Sequence, residues 1–177
     1  MGLFDRFKKA TGAGGSAKPA AVDAQAGADV VCAPVDGRVV PMSEVPDPVF
    51  AGEVMGPGCG IWPTGETVYA PVSGTVSVAM GHAVGITSDD GVELIVHVGI
   101  DTVEMGGRGF TAYVEKGDHV EAGQPILGFS RHAIADAGYR DIVVTAVTNG
   151  ASFSSVELSV DSGSQVSAGA AVLRLVR

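Results

Sequence analysis

The chain has few cysteines, aromatic residues and charged residues. Aromatic residues make up 6% and charged residues 18% of its 177 residues. Its two cysteines, Cys32 and Cys59, have no CxxC spacing, which indicates two buried free thiols in an intracellular protein rather than a metal or redox motif. No apolar run approaches the roughly 20 residues of a membrane-spanning helix, and the first residues do not match a secretory signal. These absences predict a cytoplasmic protein.

The charge is acidic and unevenly distributed. The net charge is −9. Residues 1–28 carry four basic and two acidic side chains, or +2, so residues 29–177 carry −11. An acidic domain repels phosphate backbones, so we expect no nucleic-acid binding, whereas a basic protein surface would be attracted.

Residues 1–28 also differ in composition from the rest of the chain. Residues 1–9 combine an apolar helical face with basic side chains, which is typical of weak contact with a membrane surface. Residues 10–28 are rich in Ala and Gly and have no periodicity, as in a flexible linker. The sequence therefore predicts a leader and linker over 1–28 and one folded domain over 29–177.

The domain is predicted to be all-β. Short β-branched runs are broken repeatedly by Gly and Pro, of which the chain has 26 and 9, and this pattern favours an antiparallel β-sandwich or barrel with little helix. One helix is predicted around His132–Ala137, with Ser130 as its N-cap and Gly138 at its end.

Two segments of the domain recur. Ala33–Val39 is repeated 37 residues later as Ala70–Val76, and Val114–Leu127 is repeated 46 residues later as Val160–Leu173. Both copies keep glycine at the turn positions, where a positive φ is needed. The repeats predict an approximately duplicated β-unit, and two copies are too few for a solenoid.

The most informative segment is Val92–Ile100. Its apolar residues alternate with a second set that includes His97, as on a strand with one face in the core. His82 lies on the preceding predicted strand, across the turn Asp89–Gly91. If the first two turn residues form the hairpin loop, His82 lies directly opposite His97, and if the last two do, the histidines are diagonal neighbours. Either pairing keeps both imidazoles on one face, with Cβ atoms roughly 5–8 Å apart, and predicts a two-histidine site.

The repeated Ala-Pro-Val-x-Gly and Val-x-x-Gly-x-x-Val-x-x-Gly elements resemble biotinyl and lipoyl carrier domains. Those carriers hold their cofactor on a lysine at a hairpin tip. The hairpin tips predicted here have no such lysine, because Lys116 leads into the turn at Gly117. We therefore expect the duplicated carrier-like motif without a covalent cofactor.

Residues 29–177 as a whole resemble the glucose-type enzyme IIA of the bacterial sugar phosphotransferase system. The resemblance lies in Glu44–Phe50, Pro63–Gly65, Ala70–Thr75, His82-Ala83, Gly91–Glu104 and Gly109-Phe110. It implies an antiparallel β-sandwich with a shallow active-site depression.

By position, the resemblance implies that His97 is the phosphoacceptor and His82 the second active-site histidine. The implied donor is the histidine-containing phosphocarrier protein, and the implied acceptor is a cysteine of a sugar-specific IIB component. Regulatory binding in the unphosphorylated form is also implied. The implied partner-binding surface consists of Phe50, Val84, Ile95 and Asp101.

Imidazole chemistry agrees with these roles. A neutral imidazole is nucleophilic near pH 7 and accepts a phosphoryl group on one ring nitrogen. A second imidazole within hydrogen-bond reach donates to the phosphoryl oxygens. This assigns His97 as the nucleophile and His82 as the stabilising donor, with no obligatory cofactor. The resemblance also implies that both histidines bind zinc when a partner supplies a further ligand.

One departure from the usual pattern of the family lies just before His82. Met80 and Gly81 replace the polar residues that commonly precede the second histidine. Alternatives to the phosphocarrier are a non-catalytic regulatory module and a zinc peptidase of related duplicated architecture. A peptidase of that kind carries His-x-His, but Gly99 stands two residues after His97, and a catalytic zinc takes three protein ligands.

Overall fold

The computed structural model describes residues 18–177, so the predicted apolar and basic leader lies outside the described residues. The strands are Val30–Cys32 (β1), Gly37–Pro41 (β2), Gly58–Pro63 (β3), Thr67–Tyr69 (β4), Gly74–Ala79 (β5), Ala83–Ser88 (β6), Glu93–Val98 (β7), Phe110–Ala112 (β8), His119–Val120 (β9), Pro125–Phe129 (β10), Val143–Val147 (β11), Ser155–Leu158 (β12), Gln165–Val166 (β13) and Ala171–Val176 (β14). The helices are Pro48–Ala51 (α1) and Arg131–Asp136 (α2), with 3-10 turns at Met42–Glu44, Thr102–Met105 and Gly150–Ser152.

The strands form three antiparallel sheets. The largest has the order β13-β2-β3-β11-β7-β6-β5-β9, and the two smaller ones have the orders β1-β14-β12 and β4-β10-β8. Among the described strands, β2 with β3, β5 with β6 and β6 with β7 pair as hairpins of sequence neighbours, whereas the other pairings join strands that are farther apart in the chain. The all-β prediction with little helix is confirmed.

The large sheet has apolar residues on both faces. The main core contains buried residues from all three sheets, such as Ile61, Val96 and Leu173. A smaller cluster, which includes Phe50 and Val144, covers part of the opposite face near α1. Because this second cluster packs beneath α1, it supports a site on the outer face of the sheet.

The sequence repeats correspond to a pseudo-two-fold arrangement of hydrogen bonds. The amide of Cys32 donates to the carbonyl of Pro71 at 2.9 Å, and the amide of Tyr69, 37 residues after Cys32, donates to the carbonyl of Pro34 at 2.7 Å. In the same way, β13 pairs with β2 as β9 pairs with β5. The predicted duplication of a β-unit is therefore confirmed.

The backbone upstream of the predicted domain start at Asp29 is attached to both copies of the longer repeat. The amide of Val22 donates to the carbonyl of Gly123 at 2.9 Å, and that of Gln25 donates to Gly169 at 2.7 Å. A Cβ on Gly123 would lie 2.2 Å from the Val22 oxygen. These contacts involve main-chain atoms, so the Ala- and Gly-rich composition of this segment could not indicate them.

Other local predictions are also confirmed. The Ser130 side chain accepts a hydrogen bond from the amide of Ala133 at the start of α2, and Gly138 beyond its end has a φ of 85°. Cys32 and Cys59 are buried free thiols.

Candidate functional site

The histidine-bearing hairpin consists of β6 and β7, and its register differs from both predicted pairings. Ala83, not His82, is the cross-strand partner of His97. The loop contains three residues, Asp89–Gly91, because the amide of Ser88 donates to the carbonyl of Val92 at 2.7 Å and Gly91 has a φ of 93°. Three-residue hairpin loops of this kind place their last residue in a left-handed conformation. The two-residue turn that we predicted is therefore wrong.

In a regular hairpin of this register, the side chain of His82 would point into the core and away from His97. The residue opposite His82 is Val98, whose amide donates to the carbonyl of His82 at 2.8 Å, and Val98 is fully buried. His82 escapes this placement because it precedes β6 and lies in the loop between Met80 and Ala83, which is closed by the hydrogen bond from the amide of Met80 to the carbonyl of Ala83. The break in the strand lets the side chain turn toward His97.

The two imidazoles are in contact. Their ring centroids are 4.7 Å apart and the ring planes are inclined by 79°, so the edge of one ring meets the face of the other. The predicted juxtaposition of His82 and His97 is therefore present in the structure, although a different local geometry produces it. Phe50 also packs against His97, with ring centroids 5.1 Å apart.

Phe50 reaches the site because α1 begins at a well-formed cap. The Asp47 carboxylate accepts hydrogen bonds from the amides of Val49 and Phe50 at 2.8 and 3.2 Å. Pro48 occupies the first helical position, where a missing N–H costs nothing. This short helix places an aromatic ring against the nucleophile candidate and a carboxylate beside it.

Burial keeps both histidines neutral at physiological pH. Desolvation, together with the charge of neighbouring His82, lowers the pKa of His97 from 6.5 to about 4. Desolvation also lowers the pKa of His82. The backbone of Gly99 and the carboxylates of Asp47 and Asp101 act in the opposite direction on His97, but burial is the larger effect. A neutral imidazole retains the lone pair that a nucleophile requires.

The two ring nitrogens of His97 are not equivalent. Nδ1 is buried and has no partner that meets full hydrogen-bond geometry among the described residues. The Gly99 backbone lies close enough to favour the protonated ring. Because the side chain as a whole is only partly buried, its exposed edge carries Nε2. The arrangement therefore turns Nδ1 toward the protein interior and leaves Nε2 at the exposed edge of the ring.

The structure corrects one residue of the implied partner surface. Val84 is fully buried, pairs with Val96 and belongs to the main core, so it is on the opposite face from the histidines. Alternation of side chains along β6 places it there. Ile95 shares the face of His97, whereas Asp101 is exposed beyond the end of β7.

Three exposed apolar residues on the segments that form the site were not predicted from the sequence. They are Val49, Met80 and Val103, which are 46%, 42% and 57% exposed. Each is one or two residues from a group at the site, namely Phe50, His82 or Asp101. The sequence feature that could have indicated them is that each is an apolar residue close to a predicted site residue and outside any strand pattern. We call these three residues the site rim.

Residues 18–177 supply at most two zinc ligands at this place. Within the part of the chain that the structure describes, no group of three or more His, Cys, Asp or Glu side chains could hold a metal. His82 and His97 fit only half of a four-coordinate zinc site. This donor set does not suit a zinc peptidase, and zinc binding at the pair would require ligands from a second protein.

The fold and the site together define a class of protein. It is an antiparallel β-sandwich with a duplicated β-unit that presents two facing imidazoles on the outer face of its larger sheet. Comparison with known proteins identifies the family. The chain belongs to the EIIA 1 family of the phosphoenolpyruvate-dependent sugar phosphotransferase system, whose model matches residues 29–153.

Related proteins agree with this assignment. The chain is 45% identical over 129 residues to the mannose-specific EIIBCA component of Corynebacterium glutamicum. The aligned segment covers 72% of this chain and 19% of that protein. It is 42% identical over 123 residues to the beta-glucoside-specific EIIBCA component of Bacillus subtilis, covering 68% and 20%. The chain thus spans about a fifth of the length of these relatives.

A solved structure also matches. The glucose permease IIA of Mycoplasma capricolum superposes with a TM-score of 0.70 and 30% sequence identity. The match covers 81% of this chain and 93% of that chain. The β-sandwich architecture predicted from the sequence is therefore that of a glucose-type IIA.

Proposed function

We propose that this protein is a phosphocarrier that accepts a phosphoryl group on Nε2 of His97 and passes it to a sugar-specific IIB component. The observation that carries the proposal is the contact between two neutral imidazoles at 4.7 Å. The ring of His97 supplies a lone pair on its exposed edge, and the ring of His82 is close enough to bind the oxygens of the incoming phosphoryl group.

The transfer needs alignment and charge stabilisation more than covalent machinery. As the P–N bond of a phosphohistidine donor breaks, the lone pair of His97 Nε2 forms the new P–N bond. His82 donates a ring N–H to a phosphoryl oxygen, which stabilises the negative charge. Nδ1 of His97 holds its proton toward the Gly99 backbone, so the positive charge that develops on the ring faces an acceptor.

The surroundings of the pair favour a basic donor with an apolar contact surface. Asp47 and Asp101 both place negative charge near His97, and the site rim adds exposed apolar area. Residues 29–177 carry −11 overall, which speeds association with a positively charged partner. The histidine-containing phosphocarrier protein implied by the sequence resemblance is the proposed donor.

The direct test is phosphotransfer in vitro with radiolabelled phosphoenolpyruvate, enzyme I, the donor protein and a IIB component. His97→Ala should accept no label, because the proposed nucleophile is missing. His82→Ala should accept label but pass it on slowly, because the imidazole that stabilises the phosphoryl group is missing. His132→Ala is the matched control, because His132 is exposed on α2 and pairs only with Asp136.

Mapping of the labelled protein by mass spectrometry identifies the residue that carries the phosphoryl group. Acid-labile phosphate that persists on a His97→Ala variant would show that His97 is not the acceptor. Normal onward transfer by His82→Ala would remove the role assigned to the second imidazole.

A further inference from the structure

Thr102 is a buried polar residue that the proposed reaction does not use directly. Its side chain is fully buried, and its hydroxyl donates a hydrogen bond to the carbonyl of Val98. It follows Asp101, which has a left-handed backbone with a φ of 60°, and it begins a 3-10 turn. A buried hydroxyl at this point holds the end of β7 just after His97.

Gly99, which separates Val98 from the turn, is held from several sides. Its φ is 81°, and a Cβ there would lie 2.3 Å from Cγ2 of Thr102 and 2.9 Å from the carbonyl oxygen of Arg140. The Gly99 amide donates to the carbonyl of Ile142 at 2.8 Å. The peptide between Val98 and Gly99 is therefore bonded at both ends, at its oxygen by Thr102 and at its nitrogen by Ile142.

The next peptide fixes the direction of the Gly99 carbonyl. Its nitrogen, the amide of Ile100, donates to the carbonyl of Arg140 at 3.0 Å. In a trans peptide the C=O points away from the N–H, so the Gly99 carbonyl points away from Arg140. This carbonyl accepts no backbone hydrogen bond within residues 18–177, and it is the free acceptor nearest in sequence to the buried Nδ1 of His97.

We propose that Thr102 is a positioning residue that aims the Gly99 carbonyl at Nδ1 of His97 and so selects the tautomer with its lone pair on Nε2. The role rests on the phosphocarrier function proposed above. The methyl of Thr102 closes the space beside Gly99, and its hydroxyl holds the Val98 oxygen. A residue without the hydroxyl leaves that buried oxygen without its side-chain donor, so the Val98–Gly99 peptide is held at its nitrogen alone and the Gly99 carbonyl is aimed less firmly.

The test reads the tautomer directly in the full-length, unphosphorylated protein. Two-bond proton–nitrogen correlation spectra at neutral pH report which ring nitrogen of His97 carries the proton. The wild-type protein should show the proton on Nδ1. Thr102→Val keeps the shape but removes the hydroxyl, and it should show a mixture of tautomers. Thr102→Ser keeps the hydroxyl and should restore the wild-type spectrum.

Thr145→Val is the matched control. Thr145 is also a buried threonine on the adjacent strand β11, but its hydroxyl has no partner and its neighbours across the sheet are Cys59 and Val96. Its side chain lies on the core face, away from the Gly99 peptide. The same substitution there should leave the His97 tautomer unchanged.

Two results would overturn the role of Thr102. One is a proton on Nε2 in the wild-type protein, and the other is an unchanged tautomer in Thr102→Val. If the valine variant does not fold, Thr102→Ala also removes the hydroxyl and is read by the same criterion.

A separate assay keeps this inference distinct from the proposed function. Phosphotransfer from the donor to Thr102→Val should slow about tenfold, a loss of the size that a small misplacement of a reacting group produces. Failure of the wild-type protein to accept phosphate would reject the phosphocarrier function, whereas the tautomer spectra decide the role of Thr102 by themselves.

Discussion

Acidification should destabilise this protein through the buried imidazole of His97. Its pKa is lowered from 6.5 to about 4, mainly because burial disfavours the charged ring. The unfolded chain therefore binds a proton that the folded chain does not, at every pH between these two values. Stability from this group is fully present above about pH 6.5 and is lost as the pH falls toward 4.

The magnitude follows from the two pKa values. Integrating proton uptake from about pH 7.5 to about pH 5 gives a loss of roughly 2 kcal/mol in the free energy of unfolding. The full difference between the pKa values corresponds to roughly 3 kcal/mol. Both figures are upper limits, because the ring of His97 is partly exposed and solvent screens its charge.

The assay is urea unfolding at several pH values for the wild-type protein and for His97→Gln, which has no titrating ring. The difference between the two proteins isolates His97 from the carboxylates and from His82. His132→Gln should keep the wild-type loss, because it leaves the buried ring in place. Parallel pH profiles for the wild-type and His97→Gln proteins would refute the reasoning, as would an NMR titration of His97 near 6.5.

Further predictions concern the neighbours of His97 and the N-terminal attachment. His82→Gln should raise the pKa of His97 in an NMR titration, because the charge of His82 lowers it; an unchanged value would place the cause in burial alone. Asp47→Asn keeps a capping acceptor for α1 but removes the charge, so association with the donor should weaken at low salt and hardly at all at high salt. Equal weakening at both salt concentrations would contradict this. Deletion of residues 1–28 should lower the free energy of unfolding by about 1–3 kcal/mol relative to deletion of residues 1–17, since it removes the backbone hydrogen bonds of Val22 and Gln25 to the turn glycines and the bond that the Gln25 side chain accepts from the amide of Ala171. Identical unfolding midpoints would mean that these bonds add nothing.

Much of the fold was predictable because it follows local rules. Alternation of apolar residues along Val92–Ile100 predicts which residues face the core, and Val92, Leu94, Val96 and Val98 are indeed buried. The repeats predicted a duplicated β-unit, which the paired bonds of Cys32 and Tyr69 confirm. Side-chain periodicity and turn glycines act over a few residues, so a sequence displays them directly.

The features that the sequence did not predict correctly depend on contacts that local rules do not describe. The partner-surface role of Val84 came from matching positions in a family, and the strand register places that residue in the core. The contacts of Val22 and Gln25 with the turn glycines use main-chain atoms, which no side-chain pattern records. In each case the deciding contact joins residues that are far apart in the chain or that differ by one position in register.

Local patterns in the amino-acid sequence were enough to predict an all-β protein with a duplicated unit and to assign His82 and His97 to one site. How the two rings meet depends on the tertiary structure. The three-residue loop shifts the strand pairing by one position, which on its own would turn His82 into the core. The rings face each other because β6 starts one residue after His82. A one-residue shift exchanges the faces of a strand, and Asp89-Asp90-Gly91 suits both a two-residue and a three-residue loop, so the residue types alone did not decide the length of the turn.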